Sequence, residues 1–297
     1  MLDTFFPFSY ASICIGLLIG VGITIICFGF FSATIILIAI SIGIIRIMPL
    51  INMCKRVVSG ILPDEFSKIH KNIGESFKIK NPENIRDGRS IYMWHPHGVF
   101  CLSQFFHIGT NYTNWPMRNI KGTAFSLLLW LPFMKEIYEE LDAVSTDYFP
   151  MKETLLNNVS VSIAAGGMRE MLYEDTAILE KRRGIFKMAL ETGTPLVPVV
   201  SVNENRLCSI VDIPWIQAKL KPYDMCVPIP TFKSVYKLIG MLNRPLKEPI
   251  FSVVGNPIPV SRIEHPTEED IANLRKQYIT ELKALYKKET SMELNII

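Results

Sequence analysis

An α/β domain behind an N-terminal apolar helical hairpin is the fold class this sequence predicts, and three observations lead there. Between Phe5 and Ile45 the chain carries no Asp, Glu, Lys, Arg or His. After Pro49 the composition becomes that of an ordinary globular chain. From residue 90 onward short apolar runs alternate with longer amphipathic ones, the pattern of strands interleaved with helices in one sheet.

The hairpin follows from length. A helix crosses the hydrocarbon with roughly 20 apolar residues, so the uncharged stretch suffices for about two crossings. The predicted break is Phe28-Gly29-Phe30-Phe31-Ser32, where a glycine can turn the chain and Phe rings can occupy the interface. A cleaved leader would need a basic start and a shorter apolar core, which Met1-Leu2-Asp3-Thr4 and the long run behind it do not supply. A hairpin buried inside a soluble protein would carry a polar stripe, and this one does not. Residues 1–50 are therefore expected to be a retained membrane anchor. Arg46, Lys55 and Arg56 are the first charges after it, so the domain at 51–297 is expected on the cytosolic side.

That remainder, about 250 residues, is within range for one α/β unit with its own core. The six cysteines (Cys14, Cys27, Cys54, Cys101, Cys208, Cys226) are scattered without a C-x-x-C pair, which indicates neither a zinc site nor a disulfide framework. A formal net charge of +3 with dispersed Lys and Arg excludes nucleic acid as a partner.

Four strands are readable: Ser90 to Trp94, Val159 to Ala164, Pro195 to Val200 and Pro249 to Val254. Each feeds a polar loop, in order His95-Pro96-His97-Gly98, Gly166-Gly167-Met168-Arg169-Glu170, Asn203-Glu204-Asn205 and Gly255-Asn256-Pro257. Ligand crevices of open α/β sheets lie outside the carboxyl ends of the strands, so these loops are candidates to converge. Gly184 to Glu191 reads as a helix closed by Thr192-Gly193. A last helix starts at the N-cap Thr267, with Glu268, Glu269 and Asp270 in its first turn and Ile271, Leu274, Tyr278, Leu282 and Leu285 at helical spacing; it is assigned to packing.

Two histidines around a proline make a stiff end to a strand, since Pro96 fixes φ near −65°. Imidazole, with an ordinary pKa of about 6.5, suits a general base at cytosolic pH. His95 and His97 are thus candidate bases, against the plainer reading that both only complete hydrogen bonds at a turn. Metal binding lacks a third ligand at close spacing. Gly98, Gly166 and Gly167 are candidates to bring backbone N–H groups to an oxyanion, and Glu170 to orient a histidine, as the acid of a triad does, unless it is a solvated turn residue. Lys181-Arg182-Arg183 precede a helix start, where basic charge is electrostatically odd; an anionic ligand such as coenzyme phosphates, or a solvated basic face, would account for it. Cys101 and Ser103 are the residues nearby that could carry an acyl group as nucleophiles, but Cys101 lies in an apolar run that disfavours a thiolate.

The apolar hairpin, His95-Pro96-His97-Gly98, the run Gly166 to Glu170, Arg182-Arg183-Gly184 through Leu196-Val197-Pro198, Glu204-Asn205, and Gly255-Asn256-Pro257-Ile258 with Glu264-His265-Pro266-Thr267 together resemble the type 2 diacylglycerol acyltransferase family, which includes monoacylglycerol and wax-ester relatives. Tyr148-Phe149-Pro150 lies downstream of the histidines where that family has its tripeptide upstream; Ile185 and Val202-Asn203 also depart from its pattern. The resemblance implies a glycerolipid-acyltransferase-like mixed sheet flanked by helices. It implies acyl-CoA as co-substrate with no cofactor or metal, and transfer to diacylglycerol, a monoacylglycerol or a long-chain alcohol. It also implies an endoplasmic reticulum membrane location and leaves a homo-oligomer open. His95 or His97 would be the base, Glu170 its partner, and Lys181, Arg182 and Arg183 would meet the coenzyme, with Glu204 and Asn205 at the pocket. The contrasting expectation from another class is a non-enzymatic lipid-binding hairpin protein.

Overall fold

The structure, a computed structural model, describes residues 63–109, 120–130, 135, 138–139, 141–211, 213–220, 222, 225–227 and 229–297. The expected membrane anchor at residues 1–50 lies outside these. No helix among the described residues is long and apolar enough to cross a membrane. The chain divides into two compact units. One comprises Leu62–Leu129 and Ile137–Ile297 and holds the α/β fold; the other comprises Met1–Ile61 and Trp130–Glu136.

In chain order the named elements are α1 (Pro63–Ser76), β1 (Phe77–Lys80), β2 (Ile91–His95), β3 (Ile120–Ala124), β4 (Val144–Ser145), α2 (Tyr148–Leu156), β5 (Ser160–Ile163), β6 (Thr176–Ala177), α3 (Gly184–Thr192), β7 (Leu196–Val202), α4 (Glu204–Leu207), α5 (Pro214–Leu220), α6 (Phe232–Asn243), β8 (Ile250–Val254), α7 (Glu268–Thr290) and β9 (Asn295–Ile296). Seven strands form one sheet in the order β1-β8-β7-β2-β5-β3-β4, and β6 pairs with β9 apart from it. Every pairing in the large sheet is parallel except β7 with β8.

All four expected strands are present. Their carboxyl ends do not all meet, however. β8 runs against β7, with Val254 opposite Val199 and Phe251 opposite Val202. Gly255 therefore emerges beside the start of β7, its N–H donating to Pro198 O at 2.8 Å, and Ile258 pairs with Leu196. The loops after β2, β5 and β7 share one edge of the sheet, and Gly255-Asn256-Pro257 lies at the other.

Side chains alternate across the strands. Ile91 and Met93 of β2, with Leu196 and Val200 of β7, face a core completed by Met151 and Leu155 of α2, Phe186 and Ala189 of α3, and Tyr278 and Leu282 of α7. Tyr92, Trp94, Val197 and Val199 face the opposite core with Ile85, Ile108 and Ile120. By this parity His95 belongs to the α3 and α7 side. The two helix ends read from sequence form as expected: Gly193 (φ 64°) caps α3, and Thr267 and Asp270 form a reciprocal capping box at the start of α7.

Phe186 is fully buried between the sheet and Tyr278, at 5.7 Å between ring centroids. Phe186→Ala is expected to destabilise the protein by about 3 to 5 kcal/mol, read as a lowered urea midpoint of detergent-solubilised protein.

Candidate active site

Three polar loops meet at the shared edge. His95 ends β2, with its side chain fully buried. Its Nδ1 lies 3.5 Å from Glu170 Oε2, an electrostatic pairing longer than a formed hydrogen bond. Its Nε2 is buried without a hydrogen-bond partner. The ring of Tyr278 stands edge-on to it at 6.1 Å, anchored by the Tyr278 hydroxyl donating to Met93 O at 3.3 Å.

His97 is placed differently. Its backbone N–H donates to Glu170 Oε1 at 3.1 Å, its Nε2 lies 2.9 Å from Gly167 O, and its Nδ1 lies 3.2 Å from Cys101 Sγ. Both ring nitrogens of His97 are engaged. The two readings of the motif are thereby divided: His97 completes a turn, and His95 keeps a nitrogen available.

Glu170 is buried, which excludes the solvated-turn reading. It sits in the 3₁₀ turn Met168–Leu172 that follows β5, and its two oxygens accept the N–H groups of His97 and Ile178, each at 3.1 Å. Burial alone raises its carboxyl, but His95, His97 and these hydrogen bonds outweigh burial and hold it below its ordinary value. Burial likewise lowers His97, while the neighbouring Cys101 and Glu170 reverse that and leave it well above its ordinary value. A carboxyl with a depressed native pKa contributes stability that is complete above its unfolded pKa and vanishes as pH falls through the native one. The wild type is therefore expected to lose more stability than Glu170→Gln when pH falls below about 4.5, compared by urea midpoints on either side of that value.

The glycine turn has a different role from the expected one. Gly167 N–H is occupied by Ala164 O at 3.3 Å, so it is no oxyanion donor. Instead the carbonyls of this turn are used: Gly167 O faces His97, and Gly166 O accepts from Arg182 Nη2 at 2.7 Å. Gly166 is needed for space, because a Cβ there would lie 1.4 Å from Glu170 Oε2. Gly98 has φ 61°, and a Cβ on it would come within 2.9 Å of Glu204 Cγ.

The basic run also divides. Arg182 braces the glycine turn, Arg183 pairs with Glu268, and Lys181 is exposed. Protein partners thus account for two of the three charges, and no anionic ligand is required to explain them. Glu204 is buried at the start of α4, where it accepts hydrogen bonds from the backbone and hydroxyl of Ser103, and burial raises its carboxyl. Asn205 is half-buried on the same turn. Ser103 therefore faces a carboxyl group and Ser201 (2.9 Å), with no histidine to activate it. Tyr278, which the sequence pattern assigns only to the packing stripe of the last helix, also stands against His95; its one signal is a large ring among aliphatic neighbours in that stripe. Among the described residues no group of three or more His, Cys, Asp or Glu is arranged to hold a metal ion.

A mostly parallel sheet whose strand ends present a buried histidine beside a buried glutamate defines an α/β protein with a buried His–Glu pair at one edge of its sheet. The sequence matches the diacylglycerol acyltransferase family over residues 63–294, and the chain belongs to that family. Relatives include 2-acylglycerol O-acyltransferase 1 of Homo sapiens, 32% identical over 66% of this chain and 64% of that protein. Diacylglycerol O-acyltransferase 2 of Xenopus tropicalis is 31% identical over 71% of this chain and 64% of that protein. The chain thus spans just under two thirds of the length of these relatives. Among solved structures, the 1-acyl-sn-glycerophosphate acyltransferase PlsC of Thermotoga maritima matches with a TM-score of 0.47 and 13% identity, over 80% of this chain and 81% of that one.

Proposed function

We propose that this protein transfers a fatty acyl group from acyl-CoA to a lipid hydroxyl, with diacylglycerol as acceptor and triacylglycerol as product. The observation that carries the proposal is the buried His95 Nε2, left without a partner while Nδ1 faces an ionised Glu170. That charge favours the tautomer with its proton on Nδ1, which leaves the Nε2 lone pair free to take a proton. His95 accepts the acceptor's hydroxyl proton as the oxygen attacks the thioester carbon. The carbon–sulfur bond then breaks, and the proton passes to the departing thiolate. Charge on the carbonyl oxygen is met by backbone N–H groups in the turn at Gly98, whose positive φ redirects the chain there. Direct transfer of this kind uses no cofactor and no metal. Lys181 and Arg183, whose side chains reach solvent, remain the contacts for coenzyme phosphates, and Arg182 is assigned to the turn.

The uncharged stretch before Arg46 supports attachment to a membrane, and the basic residues after it support a domain on the cytosolic side of the endoplasmic reticulum. A second reading, with monoacylglycerol as acceptor, is favoured by the relative named as a 2-acylglycerol acyltransferase. The deciding experiment presents purified membranes with labelled acyl-CoA and separate acceptors: diacylglycerol, monoacylglycerol and long-chain alcohol. Labelled triacylglycerol supports the first reading and labelled diacylglycerol the second. Absence of every ester would leave a lipid-binding protein without catalysis.

A further inference from the structure

We propose that α6, the segment leading into it and α5 form a docking face for a lipid bilayer bearing anionic headgroups, a membrane contact made by the α/β domain itself. The helix is apolar on two opposite sides. Ser234 and Met241 are buried on the side facing α1, whereas Phe232, Tyr236 and Ile239 recur at i, i+4 and i+7 on the outer side. Phe232 is 82% exposed and Tyr236 71%. The outer stripe continues beyond the helix. Val211 N–H donates to Ile229 O at 2.8 Å, which sets these two exposed residues just ahead of Phe232, and Trp215, 66% exposed, follows on α5.

Trp, Tyr and Phe beside aliphatic residues, interleaved with lysines, compose a surface suited to the boundary between headgroups and acyl chains. Lys219, Lys233 and Lys237 supply the lysines, with Lys219 Nζ 5.9 Å from the centre of the Trp215 ring. Residues 204–248 hold seven Lys or Arg against four Asp or Glu; Glu204 is buried and Glu248 pairs with Arg206, so the exposed charge along this stretch is mainly lysine. A second copy presenting the same face would be repelled by this excess, whereas an anionic membrane surface complements it. The face is tied to the candidate site: Lys237 Nζ donates to Arg206 O on α4 at 2.7 Å, and Leu207 and Met241 share a core cluster. α4 carries Glu204, which packs against Gly98. Docking through α6 would bring this edge of the sheet to the phase in which lipid alcohols dissolve. That consequence rests on the proposed acyl transfer; the surface itself does not.

The test places a reporter on the face. Full-length Phe232→Trp and, as control, Asn273→Trp on the exposed side of α7 are reconstituted with phosphatidylcholine brominated in its acyl chains, with and without phosphatidylserine. The difference in emission from wild type isolates each new indole. The expected result is quenching of the residue 232 signal by about twofold or more, with a blue shift, strengthened by phosphatidylserine and absent at residue 273. Equal quenching at the two positions overturns the proposal. So does emission at residue 232 that shifts with protein concentration in detergent yet ignores brominated lipid, the signature of a second copy. Esterification is measured on the same samples: ester formation without quenching sinks only the docking face, and quenching without ester formation sinks only the acyl-transfer reading.

Discussion

Replacing His95 by alanine is expected to lower acyl transfer by at least about 10²-fold, the smaller end of what general-base assistance contributes. On the proposed mechanism the loss is expected to fall on kcat, because there the imidazole acts on the proton in flight and not on substrate capture. His97→Ala is expected to cost less turnover and more order. Its ring ties Gly167 O to Cys101 Sγ, so its removal loosens the turn that carries Glu170. Radiolabelled ester formation at saturating donor, alongside urea midpoints, separates the two variants. The assignment fails if His95→Ala keeps near-wild-type turnover or if His97→Ala proves the more damaging to kcat.

Gly166→Ala is the second change with a large expected effect, and it adds a single methyl group. That methyl would stand 1.4 Å from Glu170 Oε2 and 2.3 Å from its carboxyl carbon, so the carboxylate must leave its place. Once displaced, it no longer accepts the N–H groups of His97 and Ile178, which stay buried and unpaired at roughly 1 to 3 kcal/mol each. His95 loses the charge that selects its tautomer. Activity is expected to fall about as far as in His95→Ala, with destabilisation in addition. Glu170→Gln keeps the shape and removes the charge, so a much milder stability change than Gly166→Ala, together with low activity, would assign the catalytic part to charge. Wild-type activity in Gly166→Ala would contradict the geometry.

Much of this was legible in the sequence because apolar runs bounded by Gly, Pro and polar residues mark buried strands. β2, β5, β7 and β8 stand out that way, and α3 and α7 stand out through their caps. β1, β3 and β4 do not. Phe77-Lys78-Ile79-Lys80 is too short and too charged to stand out, and Val144-Ser145 is only two residues long. Strand direction left no trace either, since Ile250 to Val254 would look the same running parallel or antiparallel. The site residues were visible as types, but their roles were not. Which histidine keeps a ring nitrogen without a partner depends on Gly167 and Cys101, which engage His97 and which the motif itself does not distinguish. The basic run divides for the same reason: Arg182 finds Gly166 O and Arg183 meets Glu268, contacts that only the fold brings about.

The reversed pairing of β7 and β8 gives the molecule two kinds of fault line. Damage at the edge holding Gly255, where the chain packs against Pro198 and Leu285, should reduce how many molecules fold while each survivor works at full rate. Damage at the edge holding Gly166 should leave many folded molecules that work slowly. In crude membranes the two would be indistinguishable as lost ester. Normalising to folded protein separates them, and it sorts inherited or engineered variants of this chain into abundance defects and rate defects according to which end of a strand they touch.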